Sequence, residues 1–259
     1  LYGSPGVELW HTAIDGMHSG DLGAFQDTLG SIFYLERTNK QWHGNIGDGL
    51  RALNRDLALY YQANPQYARL QLKWAQIRSK TPGYPTWKAK AAQTRQAVPF
   101  GLALAARRAF GDAGRPAFQF RATSPMAPHS AEYRRLVVLC FQGLNDYLDA
   151  CAEDAFDPDE CRRGMFNYLS AMNDLHALFR RCVPIEAHGY QPFHLRPKCH
   201  LLQHLVQYMI DRWGSPKIFW CYIDEDVVRG HQGYDNEAQA PAHSRICGHA
   251  KSSVGFWAS

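Results

Sequence analysis

The chain has 259 residues, 46% of them hydrophobic, and a formal charge of +4 with a pI near 8.7. That is enough apolar material for one sizeable core or two modest ones, and the mild basicity is compatible with a nucleic-acid partner without requiring one. No run reaches the ~18–20 consecutive apolar residues of a membrane span, and no charged start leads into an apolar stretch, so neither a membrane partner nor a secretory leader is expected.

From Val7 to Glu36 apolar residues recur at helical spacing, and Gly16, Gly20 and Gly23 loosen the pattern at ~1 kcal/mol each relative to alanine. Two helical pieces or one irregular helix are expected. The run Asn45 to Asn64 is periodic through Leu50, Leu53, Leu57 and Tyr60, with Pro65 as its stop. Arg69 to Lys80 reads as a short basic helix and Thr81 to Thr86 as a turn cluster. Trp87 to Arg95 carries Lys88, Lys90 and Arg95, and a further helix is expected over Val98 to Phe110.

Residues 111–128 are rich in Gly, Pro and Ser and are the best internal boundary, or linker, between an N-terminal helical region (1–110) and a C-terminal one (129–228). The second region opens with a helix from about His129 to Glu153. Asp157-Pro158 then supplies an N-cap with proline at the first helical position, ahead of a periodic run to Cys182. These two helices are expected to pack as an antiparallel hairpin. Cys182 to Pro197 reads as an irregular link, Lys198 to Trp213 as an amphipathic helix ended by Gly214, and 218–223 (IFWCYI) as a short buried strand or the opening of a helix.

Residues 229–259 lose both periodicities and read as a poorly ordered tail. Read one nucleotide out of frame from His231, that tail also resolves into a basic helical segment. The opening LYGSPGV reads as the middle of a longer chain. Residues 116–122 (AFQFRAT) are at best a weak strand, so the expected class is mainly α, a multi-helix domain with little β. The seven cysteines are an odd number without a small-scaffold spacing, which predicts free thiols in a reducing, intracellular setting.

Three blocks could carry chemistry. Asp15 and His18 are three apart, which on a helix places carboxylate and imidazole on one face; a surface pair or cap is the plainer reading. His200 and His204 stand at i and i+4, a metal-compatible spacing without the glutamate of H-E-x-x-H, and structural histidines at a helix start remain the alternative. Cys182, His188, His194 and Cys199 add donors nearby, without a C-x-x-C spacing. Asp224, Glu225 and Asp226 follow a bulky apolar run, where carboxylates at the edge of a core can hold divalent ions or simply cap a helix.

In their order, these blocks resemble those of eukaryotic cut-and-paste DNA transposases of the CACTA-like and related DDE superfamilies. Residues 15–23 are similar to a D-x-M-H-x-x-x-L-G block and residues 197–204 to a P-K-x-H-x-x-x-H block. Residues 214–225 are similar to a G-x-x-x-x-(F/Y)-W-x-x-x-x-E block. Lys88 to Arg95, with Val98-Pro99-Phe100, is similar to a basic segment of element-derived proteins. The resemblance implies the helical insertion and final part of an RNase H-like core, in which acidic residues hold two Mg2+ or Mn2+ ions for phosphoryl transfer on DNA.

It further implies Glu225 as the final acid, with Asp224 or Asp226 as its substitute, and Asp15 and His18 as the accessory D-x-x-H element. Lys88, Lys90, Arg95 and Lys198 are the candidate nucleic-acid contacts, with Arg107 and Arg108 for phosphates and Trp74 and Trp87 for stacking. The family's first two catalytic aspartates lie upstream of the D-x-x-H element, and here only fourteen residues precede Asp15. The expectation is therefore a nuclear, transposon-derived polypeptide that does not cleave DNA alone, or a non-catalytic helical module that binds nucleic acid or protein.

Overall fold

Glycine spacing decides how the chain enters its first helix. Met17–Ala24 is a wide π-helical segment, and its regular backbone breaks at Gly23 (φ −135°, ψ −107°). A side chain at Gly20 would run into the ring of Phe25, so the segment folds tightly onto the start of α1 (Phe25–Thr38). This irregular helix followed by a regular one is the expected pair. The computed structural model describes residues 14–38, 45–67, 69–78, 83–111, 116–152 and 156–219. All of these fall in the unit Leu1–Cys221; the unit Tyr222–Ser259 lies outside them.

The described chain is mainly helical, as its periodicity predicts. In α2 (Ile46–Ala63) the Asn45 side chain caps the first turn, its oxygen accepting from the Asp48 amide at 2.9 Å. In α5 (Pro158–Cys182) the Asp157 carboxylate accepts from the amides of Asp159 and Glu160 at 2.8 and 3.3 Å, with Pro158 at the first helical position. α4 (Ser130–Ala152) runs antiparallel to α5. Gly143 lies against Tyr168, Gly164 against Tyr147, and Cys151 against Cys161, so positions rise on one helix as they fall on the other. A Cβ on Gly143 would sit 2.5 Å from the Tyr168 nitrogen, and one on Gly164 2.5 Å from the Tyr147 nitrogen. The two backbones touch there, which only glycine permits.

Two expectations about elements need correction. Arg69 to Lys80 is not a helix in its described part: residues 69–73 belong to no regular element, with Lys73 extended, Trp74–Gln76 form one 3-10 turn, and Ile77–Arg78 (β1) pairs antiparallel with Thr86–Trp87 (β2). The Asn54 side chain supplies the reason. Its amide donates to the Leu72 carbonyl at 2.9 Å and its oxygen accepts from the Leu72 amide at 2.8 Å, so it satisfies the backbone groups that a helix would have satisfied internally. The second correction concerns α3, which starts at Ala91 and continues through Pro99 to Phe110. Burial of Ala91, Thr94, Ala97 and Val98 offsets the hydrogen bond that proline cannot make.

α1 is the hub. Phe25 meets Tyr147 of α4 and Tyr168 of α5 edge-on at 6.1 and 5.7 Å, and Phe33 meets Trp87 of β2 at 5.5 Å. Residues 116–129, within or beside the segment read as a linker, are irregular apart from one 3-10 turn and contribute Phe118 and Met126 to the same hydrophobic cluster. Residues 116–122 form no strand.

After α5 comes a short helix, α6 (Ile185–His188), and then a loop held at several points. The Gln191 amide donates to the Gly83 carbonyl at 3.0 Å, and the amide of Phe193, a residue at φ 53°, donates to Ser31 at 2.9 Å. The expected Lys198–Trp213 helix is α7 (Pro197–His204), a π-helical stretch Leu205–Met209, and α8 (Ile210–Trp213), closed by Gly214 at φ 76°. Residues 216–219 form a 3-10 turn; 220–223 and the tail from 229 onward, with its out-of-frame reading, lie outside the described residues. Cys140, Cys151, Cys161, Cys182 and Cys199 are free thiols, as expected.

Candidate nucleic-acid interface

Segment 15–28 is where the expected residues meet. Asp15 opens it: one carboxylate oxygen accepts from the Met17 amide at 2.9 Å and the other contacts Nδ1 of His18. This is the capping pair that the i, i+3 spacing allows, with the His18 ring largely exposed. At the kink around Gly23, a residue distant in sequence reaches the backbone carbonyls. Nζ of Lys198 donates to the carbonyls of His18 at 2.7 Å and Leu22 at 3.2 Å. A side chain at Gly23 would overlap the stem of Lys198, so the glycine makes room for the lysine. The first block and the P-K-x-H block are thus in direct contact.

Two buried acids of the same segment are paired with cations. Asp21 meets Arg95 at 2.7 Å, and Asp27 meets Arg196 at 3.1 Å. Burial pushes the Asp27 carboxyl above its ordinary range, against the pull of Arg196. Burial, and then the charge of Arg196, lowers the ammonium pKa of Lys198. Gln26 donates to the Ala89 carbonyl at 2.7 Å and so fixes the strip on either side of it, from which Lys88 and Lys90 project as exposed side chains. Lys88, Lys90, Arg95 and Lys198 therefore all hang on segment 15–28. Arg95 and Lys198 are engaged with the protein; Lys88 and Lys90 are presented to solvent.

Asp27 is not among the residues the sequence points to; Asp21 stands within the first matched block and Arg196 beside the second, neither with a role. The proline after Arg196 marks a helix start, but nothing local links Arg196 to a carboxylate 169 positions away. The expected contacts at Trp87, Arg108 and Arg107 are corrected. Trp87 is buried and cannot stack on a base. Arg108 is fully buried; its Nε and Nη2 meet Glu36 Oε2 at 2.7 and 2.6 Å, and its Nη1 donates to Tyr133 at 2.7 Å. Arg107 pairs with Asp56 at 2.8 Å, which ties α3 to α2. Trp74 is partly exposed and carries the guanidinium of Arg37 on its ring.

His200 and His204 do come together, their Nε2 atoms 2.8 Å apart. No group of three or more His, Cys, Asp or Glu among the described residues is arranged to hold a metal ion, the set Cys182, His188, His194 and Cys199 included. Asp15, Asp21 and Asp27 face His18, Arg95 and Arg196, so this cluster does not fit Mg2+ or Mn2+ by itself. Asp224, Glu225 and Asp226 lie outside the described residues. Among those described, no helix is long and apolar enough to cross a membrane. No family model matches the chain, and no curated protein or solved structure matches it.

Proposed function

We propose that this chain is part of a transposon-derived DDE-type transposase of the CACTA-like and related group, and that these 259 residues bind DNA without cutting it. The observation that carries the reading is the seating of Lys198, from the second matched block, on the backbone of the first at His18 and Leu22. Blocks that resemble one family in order would be expected to meet in space if they served one core. The exposed Lys88 and Lys90 flank a carbonyl anchored by Gln26, which gives phosphate contacts a fixed base. On this reading the protein acts in the nucleus, and Glu225, with Asp224 beside it, supplies the final acid to two Mg2+ or Mn2+ ions only when further acids join it. The pairing of Asp15, Asp21 and Asp27 with His and Arg favours a second reading, a helical DNA-binding module with no catalytic role.

The test is filter binding of duplex DNA over a range of salt, alongside a nicking assay with Mg2+ and Mn2+. Binding is expected to weaken with salt, and Lys88→Ala with Lys90→Ala to lower the slope of log K against log salt by about 2, since each phosphate contact contributes about 0.9. No nicking is expected. DNA binding unchanged in that double variant would remove the interface, and metal-dependent nicking that disappears in Glu225→Ala would overturn the claim that the chain does not cut. A transcript whose upstream codons supply two strand-borne aspartates would support the transposase reading over the module.

A further inference from the structure

We infer that His200 and His204 form a two-point binding site for a divalent ion of the Cu2+ or Ni2+ class. Four residues apart, they stand one turn apart on one face of α7. Their Nε2 atoms are 2.8 Å apart and their ring centroids 4.2 Å apart. The nitrogens are closer than the rings, so the two Nε2 edges face each other. Two nitrogens each about 2.0–2.1 Å from one ion lie about 2.9 Å apart if they meet it at a right angle, and about 3.4 Å apart at the tetrahedral angle. The hydrogen-bonded spacing of 2.8 Å is already close to the right-angle value, the angle used by tetragonal Cu2+ and Ni2+ sites.

In the free protein one Nε2 carries a hydrogen and donates it to the other. The ion takes the place of that hydrogen, and the donor imidazole moves its proton to Nδ1, so both rings stay neutral and bind through Nε2. Stacking of His204 on Tyr208, with centroids 5.4 Å apart and planes at 28°, helps fix the ring. His200 and Tyr208 are exposed, so the ion has access and water can fill its remaining positions. Mg2+ and Mn2+ prefer oxygen ligands, so the site is separate from the metal chemistry of the transposase reading and does not depend on it.

The test is titration of the full chain with Cu2+ in the presence of glycine as a weak competing chelator, read by visible absorption and by electron paramagnetic resonance. One equivalent of Cu2+ with nitrogen hyperfine splitting is expected. His200→Asn and His204→Asn should each weaken that equivalent by at least about tenfold while the far-ultraviolet circular dichroism stays unchanged. Millimolar Mg2+ should not displace it. Cu2+ affinity and spectrum unchanged in both variants would place the ion on other groups and overturn the assignment, as would no binding in the wild-type chain.

Discussion

Arg108 has no exposed surface, yet it carries a full charge among apolar neighbours. Its guanidinium is held by Glu36 and Tyr133 and lies 4.3 Å from the Phe118 ring, and it joins α1, α3 and α4 at one point. Such a pair adds little net stability over well-packed apolar residues, but removing one partner strands the other. Glu36→Leu should therefore cost about 3–5 kcal/mol in denaturant unfolding, whereas Arg51→Ala, which breaks an exposed pair with Asp48, should cost under about 1 kcal/mol. Comparable losses for the two would show that the buried network is not a fixed point of the fold.

A pH effect is set nearby. His176 Nδ1 accepts from the Leu195 amide at 3.2 Å and lies 3.0 Å from Gln191 Nε2, so it must stay neutral to hold the loop before α7. Burial, then the charges of His194 and Arg180, lower its pKa, and burial also lowers that of His194. The unfolded chain takes up these protons first, near the ordinary value of about 6.5, so stability falls as pH drops below about 6.5. Urea midpoints measured across that range should decline with falling pH, and His176→Gln should flatten the decline. Arg95 and Arg196, by contrast, find their carboxylates at separations of 74 and 169 positions, and no local pattern could have named those partners.

Among the elements, the ones legible in the sequence are those whose signals are local. Asn45 and Asp157 announce the starts of α2 and α5, and Gly214 announces the end of α8, because each acts within one turn of its own position. Where a distant group intervenes, the local signal fails: the side chain of Asn54 draws the stretch around Leu72 out of the basic helix its composition suggests. Gly143 and Gly164 read as weak points in helices, and their purpose lies in the opposite helix. Gly143→Ala gains up to about 1 kcal/mol of helix propensity, but its methyl meets the backbone of α5, and overpacking of this kind costs about 1–3 kcal/mol. The expected outcome is a net loss in thermal or denaturant unfolding; a more stable variant would mean that α4 and α5 do not touch there.

For the molecule as a whole, the helical class follows from periodicity, and the meeting of the first two matched blocks follows only from the folded chain. The basic segment was legible as a run of Lys and Arg, but its division into presented and engaged cations was not. Lys88 and Lys90 face solvent because Gln26 pins the backbone between them, while Arg95 turns inward to Asp21. The Lys198 contact with His18 spans 180 positions, against 10 for the contact between Cys151 and Cys161 at the end of the α4–α5 hairpin. Closing the longer loop costs about 2.5 kcal/mol more in chain entropy than closing the shorter one. The hairpin can thus assemble from its own stretch of chain, whereas the seat beneath Lys198 exists only once the chain has come full circle. A nascent polypeptide would carry segment 15–28 and the exposed Lys88 and Lys90 long before it carried the Lys198 that closes onto that segment.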